Sequence, residues 1–333
     1  MADVGAYYYL WYDEDQWKVY RYVHKPVLDL YSSSDPEAMS RHIEWSKQYG
    51  INFFVVSWAG KEGLDGKPEK SDQNLRKQLL PSVLSHDFKF AILYESATRL
   101  PPDPNNTIDL DKPGYASRLV ADLRDAAEYF DHPCYLKIHV NGAFKPLLIL
   151  YRARNFTGRI ADTIGRVKSA LGDVYLVGDE VYWGGIIRSR LRIGPPKLKD
   201  PERMKLYDGV TAYNMHTRDR EILGSFEKKL ESEYGDWHKA LSSVGVDFIP
   251  SAIPGYDDTN VPNRKNIPLQ RGPERFGRQL EIAMKHLSKR NIVLITSFNE
   301  WHEDTQIEPA KDYKPPAESF SYLKALERSR PLR

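Results

Sequence analysis

Short apolar runs alternate along the chain with longer segments of helical periodicity. The runs are rich in β-branched and aromatic residues and lack strict polar alternation, a pattern typical of parallel strands buried on both faces. They predict strands at residues 5–12, 51–58, 88–95, 146–151, 174–178, 209–214, 247–253 and 292–298. Amphipathic segments between and after them predict helices at residues 35–49, 71–85, 115–130, 157–171, 218–244, 274–290 and 317–328.

Strands that alternate with helices predict an α/β protein. Eight of them favour a single (β/α)8 TIM barrel over residues 1–333, with long loops at its C-terminal face. A doubly wound open sheet is the alternative, but no G-x-G-x-x-G turn follows the first strand and no G-x-x-x-x-G-K-[S/T] loop occurs. The Pro-rich residues 97–114 predict a long loop, and residues 139–145 predict a small hairpin that turns at Asn141-Gly142.

Charge and composition exclude several classes of partner. The chain has 48 Lys+Arg and 46 Asp+Glu, a net charge of +2 that gives no reason to expect nucleic acid or an anionic membrane. Cys134 is the one cysteine in the sequence, so we expect a buried thiol and no intramolecular disulfide. No apolar run is long enough to span a bilayer. No signal-like segment begins the sequence, which predicts a cytoplasmic protein, or a secreted or lumenal one whose signal or anchor has been removed.

Aromatic residues and carboxylates gather where the predicted strands end. These ends meet at the C-terminal face of a barrel, where barrel enzymes hold their active sites. Flat apolar faces stack on sugar rings and carboxylates bind hydroxyls, so the set favours a carbohydrate site. Any single Trp could instead pack in the core, and Glu95 or Glu180 could be a salt-bridge partner. Tyr7, Tyr8 and Tyr9 alternate across one strand, so they do not all face the centre.

Residues 297–310 carry the strongest local signal. Glu300 and Glu303 lie three residues apart directly after a buried strand, with His302 between them. Such a pair can supply a base and an acid if their surroundings separate their pKa values. The segment could also be a solvated acidic loop. We do not expect a metal, because a zinc site favours more histidines and neighbouring loop residues converge poorly, and we expect no cofactor.

The run from Asn299 to Glu303, continued by residues 305–309, resembles the signature of glycoside hydrolase family 99. That family comprises endo-acting α-mannosidases and α-mannanases on a (β/α)8 barrel. Residues 8–12, 50–58, 92–95 and 254–258 resemble other strands of the family. Two features depart from its pattern: Asp304 stands where the family usually has Gly, and residues 59–61 lack the further aromatics expected there.

The resemblance implies cleavage of internal α-mannosidic linkages with retention, as in an endo-α-1,2-mannosidase. Glu300 would deprotonate the axial 2-hydroxyl of mannose, which displaces the leaving group and forms a 1,2-anhydro sugar. Glu303 would protonate the departing oxygen and then deprotonate the water that opens the intermediate. The implied partner is an α-mannose-containing oligosaccharide or glycan.

Further candidates for sugar contacts lie at the strand ends. The predicted substrate-binding residues are Tyr8, Trp58, Tyr94, Glu95, Tyr213, Asn214, Tyr256, Asp257, Arg264, Trp301 and His302. The family carries a sugar-binding Arg after the seventh strand, which here is Arg264 or Arg271. His302 either binds a hydroxyl or orients Glu303.

Two other functions stay open from the sequence. One is an α-glycosidase of another linkage, such as an α-1,3-glucanase, although the equatorial 2-hydroxyl of glucose cannot make the trans-diaxial displacement without ring distortion. The other is a glycan-binding barrel without catalysis. The presence of both Glu300 and Glu303 disfavours the second.

Overall fold

Parallel strands arranged as a barrel form the centre of the computed structural model. The structure describes residues 2–19, 21–187, 195–215, 226–262, 264, 266–313 and 318–329. Within this part the barrel consists of β1 (Asp3–Tyr8), β2 (Phe53–Trp58), β3 (Lys89–Tyr94), β4 (Ala143–Leu150), β5 (Tyr175–Asp179), β6 (Gly209–Thr211), β7 (Asp247–Ile249), β8 (Ser251–Ala252) and β9 (Ile292–Ile295).

The pairing order shows how the barrel closes. The sheet runs β7-β6-β5-β4-β3-β2-β1-β9-β8, and all of these pairs are parallel. β7 and β8 are two parts of one extended segment, separated by Pro250. β7 pairs with β6 and β8 pairs with β9, so this interrupted seventh strand joins the two edges of the sheet. The predicted (β/α)8 barrel is confirmed and the open doubly wound sheet is wrong.

Helices cover the outside of the barrel and follow the predicted periodicity. The long ones are Pro36–Tyr49, Tyr115–Ala126, Ile160–Leu171, Phe226–Ser243, Pro273–Lys285 and Ser321–Ser329. Lys70–Asn74, a π-helical turn at Leu75–Leu79 and Leu80–Ser85 follow one another directly. Shorter helical pieces, several of which the sequence did not predict, are Glu14–Val19, Ser96–Arg99, Ala127–Tyr129, Ala153–Asn155 and Pro201–Met204.

The helix Pro36–Tyr49 shows why these segments begin and end where they do. The side chain of Asp35 accepts a hydrogen bond from the main-chain N of Glu37, and proline is tolerated in the first turn. Gly50 ends the helix with a φ of 90°, a left-handed conformation that favours glycine. The apolar stripe places Met39 and Ile43 in the core.

The predicted hairpin is present, whereas the predicted loop contains some structure. Lys137–Val140 pairs antiparallel with the beginning of β4, and Asn141 and Gly142 form the turn with φ values of 50° and 86°. The predicted loop 97–114 includes the end of the helix Ser96–Arg99 and the short strand Ile108–Asp109, which pairs with Phe156–Thr157. Ile186–Ile187 pairs with Lys197–Leu198 outside the barrel.

Several barrel strands are shorter than their apolar runs. The first run was predicted to extend to residue 12, but β1 ends at Tyr8. Residues 9–12 leave the sheet and carry their aromatic side chains over the C-terminal face. The predicted helix 218–244 starts, within the described chain, at Phe226, since residues 216–225 lie outside the described residues.

No helix among the described residues combines the length and the apolar character that crossing a membrane requires.

Candidate active site

A polar cleft of about 380 Å³ opens at the carboxyl ends of the barrel strands. Residues from the ends of β1, β3, β4, β6 and β9 converge on it, together with the loop after β8. Its lining consists of Tyr9, Trp11, Gln16, Glu95, Ala97, Thr98, Tyr151, Arg152, Tyr213, Val261, Arg264, Glu300, His302 and Glu303. Three carboxylates therefore share one small cavity.

Glu300 is held from its own loop. Its main-chain N donates to Ser297 Oγ at 2.8 Å, and its side chain is almost completely buried. The main-chain N of His302 donates to Glu300 Oε1 at 3.0 Å, and His302 Nδ1 lies 2.8 Å from the same oxygen. One oxygen of this carboxylate is therefore fixed by two groups of His302, two residues further along the chain.

Glu303 lies in the same cleft beside a cation. Its side chain is 16% exposed, and Arg264 donates a hydrogen bond to its Oε1. Burial, reinforced by the charge of Glu300, raises the pKa of Glu303 to about 7, although Arg264 acts in the opposite direction. A carboxyl group with this pKa can both give and take a proton near neutral pH.

Glu95 is the third carboxylate of the cleft. It directly follows β3 and accepts a hydrogen bond from Ser57 Oγ at 2.7 Å. Burial is the main cause that raises the pKa of Glu95 to about 7, and the charges of Glu300 and Glu303 add to it. The three carboxyl groups thus repel one another when all are ionised, which favours a proton in the cleft.

Aromatic side chains form much of the remaining lining. The hydroxyls of Tyr9 and Tyr213 hydrogen-bond each other, and the rings of Tyr151 and Tyr213 lie 4.8 Å apart. Trp11 packs against Tyr9 with a ring separation of 4.5 Å and also faces His302 at 5.8 Å. Such flat faces beside carboxylates suit the alternating C–H and hydroxyl surface of a sugar.

Asp179, at the end of β5, supports this side of the cleft from below. It is fully buried, and its carboxylate accepts hydrogen bonds from the main-chain N of Arg152 at 3.0 Å and of Tyr213 at 3.1 Å. Arg154 also donates to it. Arg152 has a φ of 53°, a left-handed conformation that is uncommon outside glycine and is held here by this bond. Asp179 therefore couples the ends of β4 and β6.

The structure brings together about half of the residues predicted from sequence to form the site. Those that line the cleft are Glu95, Tyr213, Arg264, Glu300, His302 and Glu303. Of the two arginines predicted after the seventh strand, Arg264 reaches the cleft and Arg271 does not. Arg271 is instead bound to the carbonyl oxygens of Asp304 and Gln306 behind the loop.

Tyr8, Trp58 and Tyr94 do not line the cleft, and we withdraw them as candidate sugar contacts. All three point outward from the barrel toward the helices, because side chains alternate along a strand. Tyr8 OH lies 2.8 Å from His42 Nδ1. The Trp58 indole donates to Asp72 and the Tyr94 hydroxyl donates to Asp122, each at 2.8 Å.

Trp301 and Tyr256 are also buried and do not line the cleft, so they are not sugar contacts either. The Trp301 indole donates to Glu308 Oε2 at 2.8 Å, and Tyr256 OH donates to Asp258 Oδ2 at 2.7 Å. Asp257 folds back on Thr259 N and Oγ1, at 3.0 and 2.6 Å. Asn214 is half-buried beside Tyr213 and does not line the cleft.

Eight further cleft residues were absent from the predicted site: Tyr9, Trp11, Gln16, Ala97, Thr98, Tyr151, Arg152 and Val261. Strand parity could have identified Tyr9, because residues adjacent in a strand face opposite sides and Tyr8 faces the helices. Tyr151 directly follows its strand, β4, so its position at a strand end could have been predicted from the sequence. Gln16 and Arg152 carry no local signal, since their places depend on how loops fold across the barrel.

Part of the 299–309 segment holds the loop rather than the cleft. Glu308 is fully buried and accepts hydrogen bonds from Trp301, from Tyr31 OH at 2.8 Å and from His42 Nε2 at 3.0 Å. Asn299 exchanges hydrogen bonds with the main chain of Tyr9 at 2.8 and 2.9 Å. These contacts fix the loop that presents Glu300 and Glu303.

Asp304 adopts the conformation expected of a glycine. Its φ is 50°, in the left-handed region where Asp and Asn are the non-glycine residues best tolerated. Its carboxylate accepts from Gln306 Nε2 at 3.1 Å and lies 3.4 Å from Arg271 Nη1. Asp304 thus occupies a backbone conformation that a glycine adopts readily.

Comparisons with known proteins agree with this fold and this loop. The model of Glycosyl hydrolase family 99 matches residues 208–330. The human glycoprotein endo-alpha-1,2-mannosidase-like protein is 26% identical over 309 residues, covering 89% of this chain and 59% of the human protein. The rat glycoprotein endo-alpha-1,2-mannosidase is 24% identical over 296 residues, covering 86% of this chain and 56% of the rat protein. The chain thus spans less than two thirds of the length of these relatives.

Two solved structures share the whole fold. A glycoside hydrolase-like protein superposes with a TM-score of 0.75 at 21% identity, covering 100% of this chain and 94% of that one. The GH99 endo-alpha-mannosidase from Bacteroides thetaiotaomicron gives 0.67 at 20% identity, covering 99% and 96%. The resemblance to glycoside hydrolase family 99 is confirmed.

Proposed function

We propose that this chain, a relative of glycoside hydrolase family 99, is a glycoside hydrolase that cleaves internal α-mannosidic linkages with retention. The observation that carries the proposal is the convergence of Glu300 and Glu303 on one cleft in different surroundings. Glu300 accepts two hydrogen bonds on one oxygen, as suits a base. Burial raises the pKa of Glu303 to about 7, as suits an acid.

The proposed first step uses the substrate's own 2-hydroxyl as the nucleophile. Glu300 takes the proton from O2, O2 bonds to the anomeric carbon, and the bond to the glycosidic oxygen breaks. Glu303 gives its proton to that departing oxygen. The products are a 1,2-anhydro sugar and the released alcohol, with Glu300 protonated and Glu303 ionised.

In the proposed second step the roles reverse. Glu303 takes a proton from water, whose oxygen bonds to the anomeric carbon as the epoxide bond to O2 breaks. O2 recovers its proton from Glu300. Each step inverts the anomeric carbon, so the product keeps the α configuration.

The remaining cleft residues suit the binding of an oligosaccharide. Glu95 and Arg264 offer hydrogen bonds to hydroxyls, while Trp11, Tyr9 and Tyr213 offer flat faces and hydroxyls. The names of the relatives, which describe endo-acting α-1,2-mannosidases, support the same substrate class for this chain.

The test is a digest of α-1,2- and α-1,3-linked manno-oligosaccharides followed by proton NMR. We expect wild type to release an α-configured reducing sugar. We expect Glu303→Gln to bind the oligosaccharide without cleaving it. A β-configured first product would rule out retention. Binding without turnover by wild type would favour a glycan-binding barrel, and turnover of α-1,3-glucan alone would favour the other linkage.

A fluoride substrate separates the two carboxylates. Fluoride leaves without protonation, so a manno-oligosaccharyl α-fluoride needs the base for the first step but not the acid. We expect Glu303→Gln to retain the first release of fluoride in a single turnover, although its second step is slowed, and Glu300→Gln to lose it. The opposite pattern would exchange the two roles.

A further inference from the structure

His302 is the contact between Glu300 and the loop that follows β1. Its Nδ1 lies 2.8 Å from Glu300 Oε1. An ionised carboxylate accepts hydrogen bonds and has none to give, so Nδ1 must carry the hydrogen. The ring therefore has a defined orientation and a defined tautomer on the cleft side when Glu300 is ionised.

The far side of the ring meets two groups at equal distance. His302 Nε2 lies 3.0 Å from Gln16 Nε2 and 3.0 Å from Tyr22 OH. The Tyr22 hydroxyl also lies 3.0 Å from the main-chain oxygen of Gln16. Gln16 lines the cleft, whereas Tyr22 is half-buried behind it and packs its ring against Trp17 and His302 at 4.9 and 5.4 Å.

The partners of Nε2 decide which ring nitrogen carries hydrogen. With hydrogen on Nδ1, a neutral ring accepts at Nε2, and both the Gln16 amide group and the Tyr22 hydroxyl are donors that reach it. The Tyr22 hydroxyl can instead donate to the main-chain oxygen of Gln16, so it ties the ring to the loop that follows β1. The groups that hold Nε2 therefore keep Nδ1–H directed at Glu300.

We propose that Tyr22 is a positioning residue that orients His302 and, through it, the carboxylate of Glu300. The inference rests on the proposed function, because it assigns Tyr22 to the alignment of the base in that reaction. Tyr22 lies outside the cleft lining and makes its contribution through the ring of His302. The principle resembles a histidine at a metal, whose outer hydrogen bond sets the tautomer and the direction of the ring.

The conservative variant Tyr22→Phe tests this because it keeps the ring and removes only the hydroxyl. We expect kcat on a manno-oligosaccharide to fall about tenfold, a loss typical of a slightly misplaced catalytic group. KM should stay within about twofold, because Tyr22 does not line the cleft. A rise in KM with unchanged kcat would overturn the inference.

A double-variant cycle distinguishes positioning from general weakening of the fold. If Tyr22 acts through His302, the hydroxyl has nothing left to orient in His302→Gln, and the double variant should equal His302→Gln alone. Losses in kcat that multiply would overturn the inference. Tyr135→Phe is the matched control, because it removes another tyrosine hydroxyl that does not line the cleft, and it should leave kcat unchanged. That hydroxyl donates to Leu147 O at 2.7 Å and accepts from Ile92 N at 3.2 Å.

A measurement that needs no turnover decides the inference even if no mannoside is cleaved. Nitrogen-15 NMR of the histidine side chains, with His302 assigned by its loss in His302→Gln, reports which ring nitrogen carries hydrogen. We expect hydrogen on Nδ1 in wild type and a shift of the His302 Nε2 signal in Tyr22→Phe, with the other histidines unchanged. A wild-type ring without hydrogen on Nδ1, or a His302 signal insensitive to Tyr22→Phe, would overturn it.

Discussion

Arg264 donates a hydrogen bond to the carboxylate of Glu303 from a side chain that is 46% exposed, whereas Glu303 itself is only 16% exposed. The proposed acid, Glu303, is thus buried on one side and paired on the other with the guanidinium of a long, partly exposed side chain. Burial favours the protonated form and the guanidinium favours the ionised form. The pKa of Glu303, about 7, reflects the balance between them.

Removing this cation should move the pH dependence of the reaction. Since Arg264 lowers the pKa of Glu303, Arg264→Gln raises it, and the acid stays protonated to higher pH. We expect the alkaline limb of kcat/KM to move upward by about one pH unit, the usual scale for a close ion pair. Arg275→Gln, which removes a cation paired with Glu227 outside the cleft, is the control. A limb that moves to lower pH would contradict the assignment of Glu303 as the acid.

Glu95 should make the fold less stable as the pH rises. Burial raises the pKa of Glu95 from its ordinary 4.5 to about 7, so the folded chain holds this proton more tightly than the unfolded chain. Stability therefore falls between these two pH values, by about 3 kcal/mol at 1.36 kcal/mol per pKa unit. Glu95→Gln cannot ionise and should lose correspondingly less stability between pH 4.5 and 8.

Urea unfolding at the two pH values measures this difference. The exposed Glu62→Gln serves as the matched control and should show the same pH dependence as wild type. A Glu95→Gln protein whose stability falls with pH as steeply as that of wild type would show that Glu95 is ionised in the fold at neutral pH.

Asp179→Asn should destabilise the protein far more than its size suggests. The amide presents one acceptor oxygen where the carboxylate receives Arg152 N, Tyr213 N and Arg154. It also leaves the largely buried guanidinium of Arg154 without the carboxylate paired with it. Breaking a buried pair in this way costs about 3–5 kcal/mol. Asp208→Asn, whose pair with Lys168 is partly exposed, should cost less in the same denaturation assay. Equal losses of stability in the two variants would show that Asp179 does not support this side of the cleft.

Two tryptophans should respond to substitution in opposite ways. Trp11 lines the cleft, so Trp11→Phe should raise KM for the oligosaccharide with a small change in stability. Trp58 is fully buried and donates to Asp72, so Trp58→Phe should lower the melting temperature and leave KM unchanged. A rise in KM for Trp58→Phe alone would restore its place among the sugar contacts.

The barrel was predictable from sequence because buried parallel strands leave a plain signal. Continuous apolar runs mark strands covered on both faces, and their spacing leaves room for one helix each. The exact strand ends were not predictable, because residues 9–12 are as apolar as β1 itself and leave the sheet only through contacts such as that of Tyr9 N with Asn299.

The site was predictable where a side chain lies at or just beyond the end of a strand and faces inward. Glu95 and Tyr213 were found in this way, and the pair Glu300 and Glu303 through its motif. The errors at Tyr8, Trp58 and Tyr94 have one cause, the parity of the strand, since each is an aromatic near a strand end that faces the helix layer. Arg152 and Gln16 depend on distant loops and were beyond any local pattern.

The segment 299–309 has a structural role as well as the proposed catalytic one, and Glu308 and Asn299 carry the structural role. They hold the loop to Tyr31, His42 and Tyr9 through contacts that involve neither of the two cleft carboxylates. A descendant of this chain that replaced Glu300 or Glu303 would keep the same loop and most of the same signature. Most residues of the run that identifies such proteins thus serve to hold the loop in place. An inactive homologue would carry nearly all of this run unchanged.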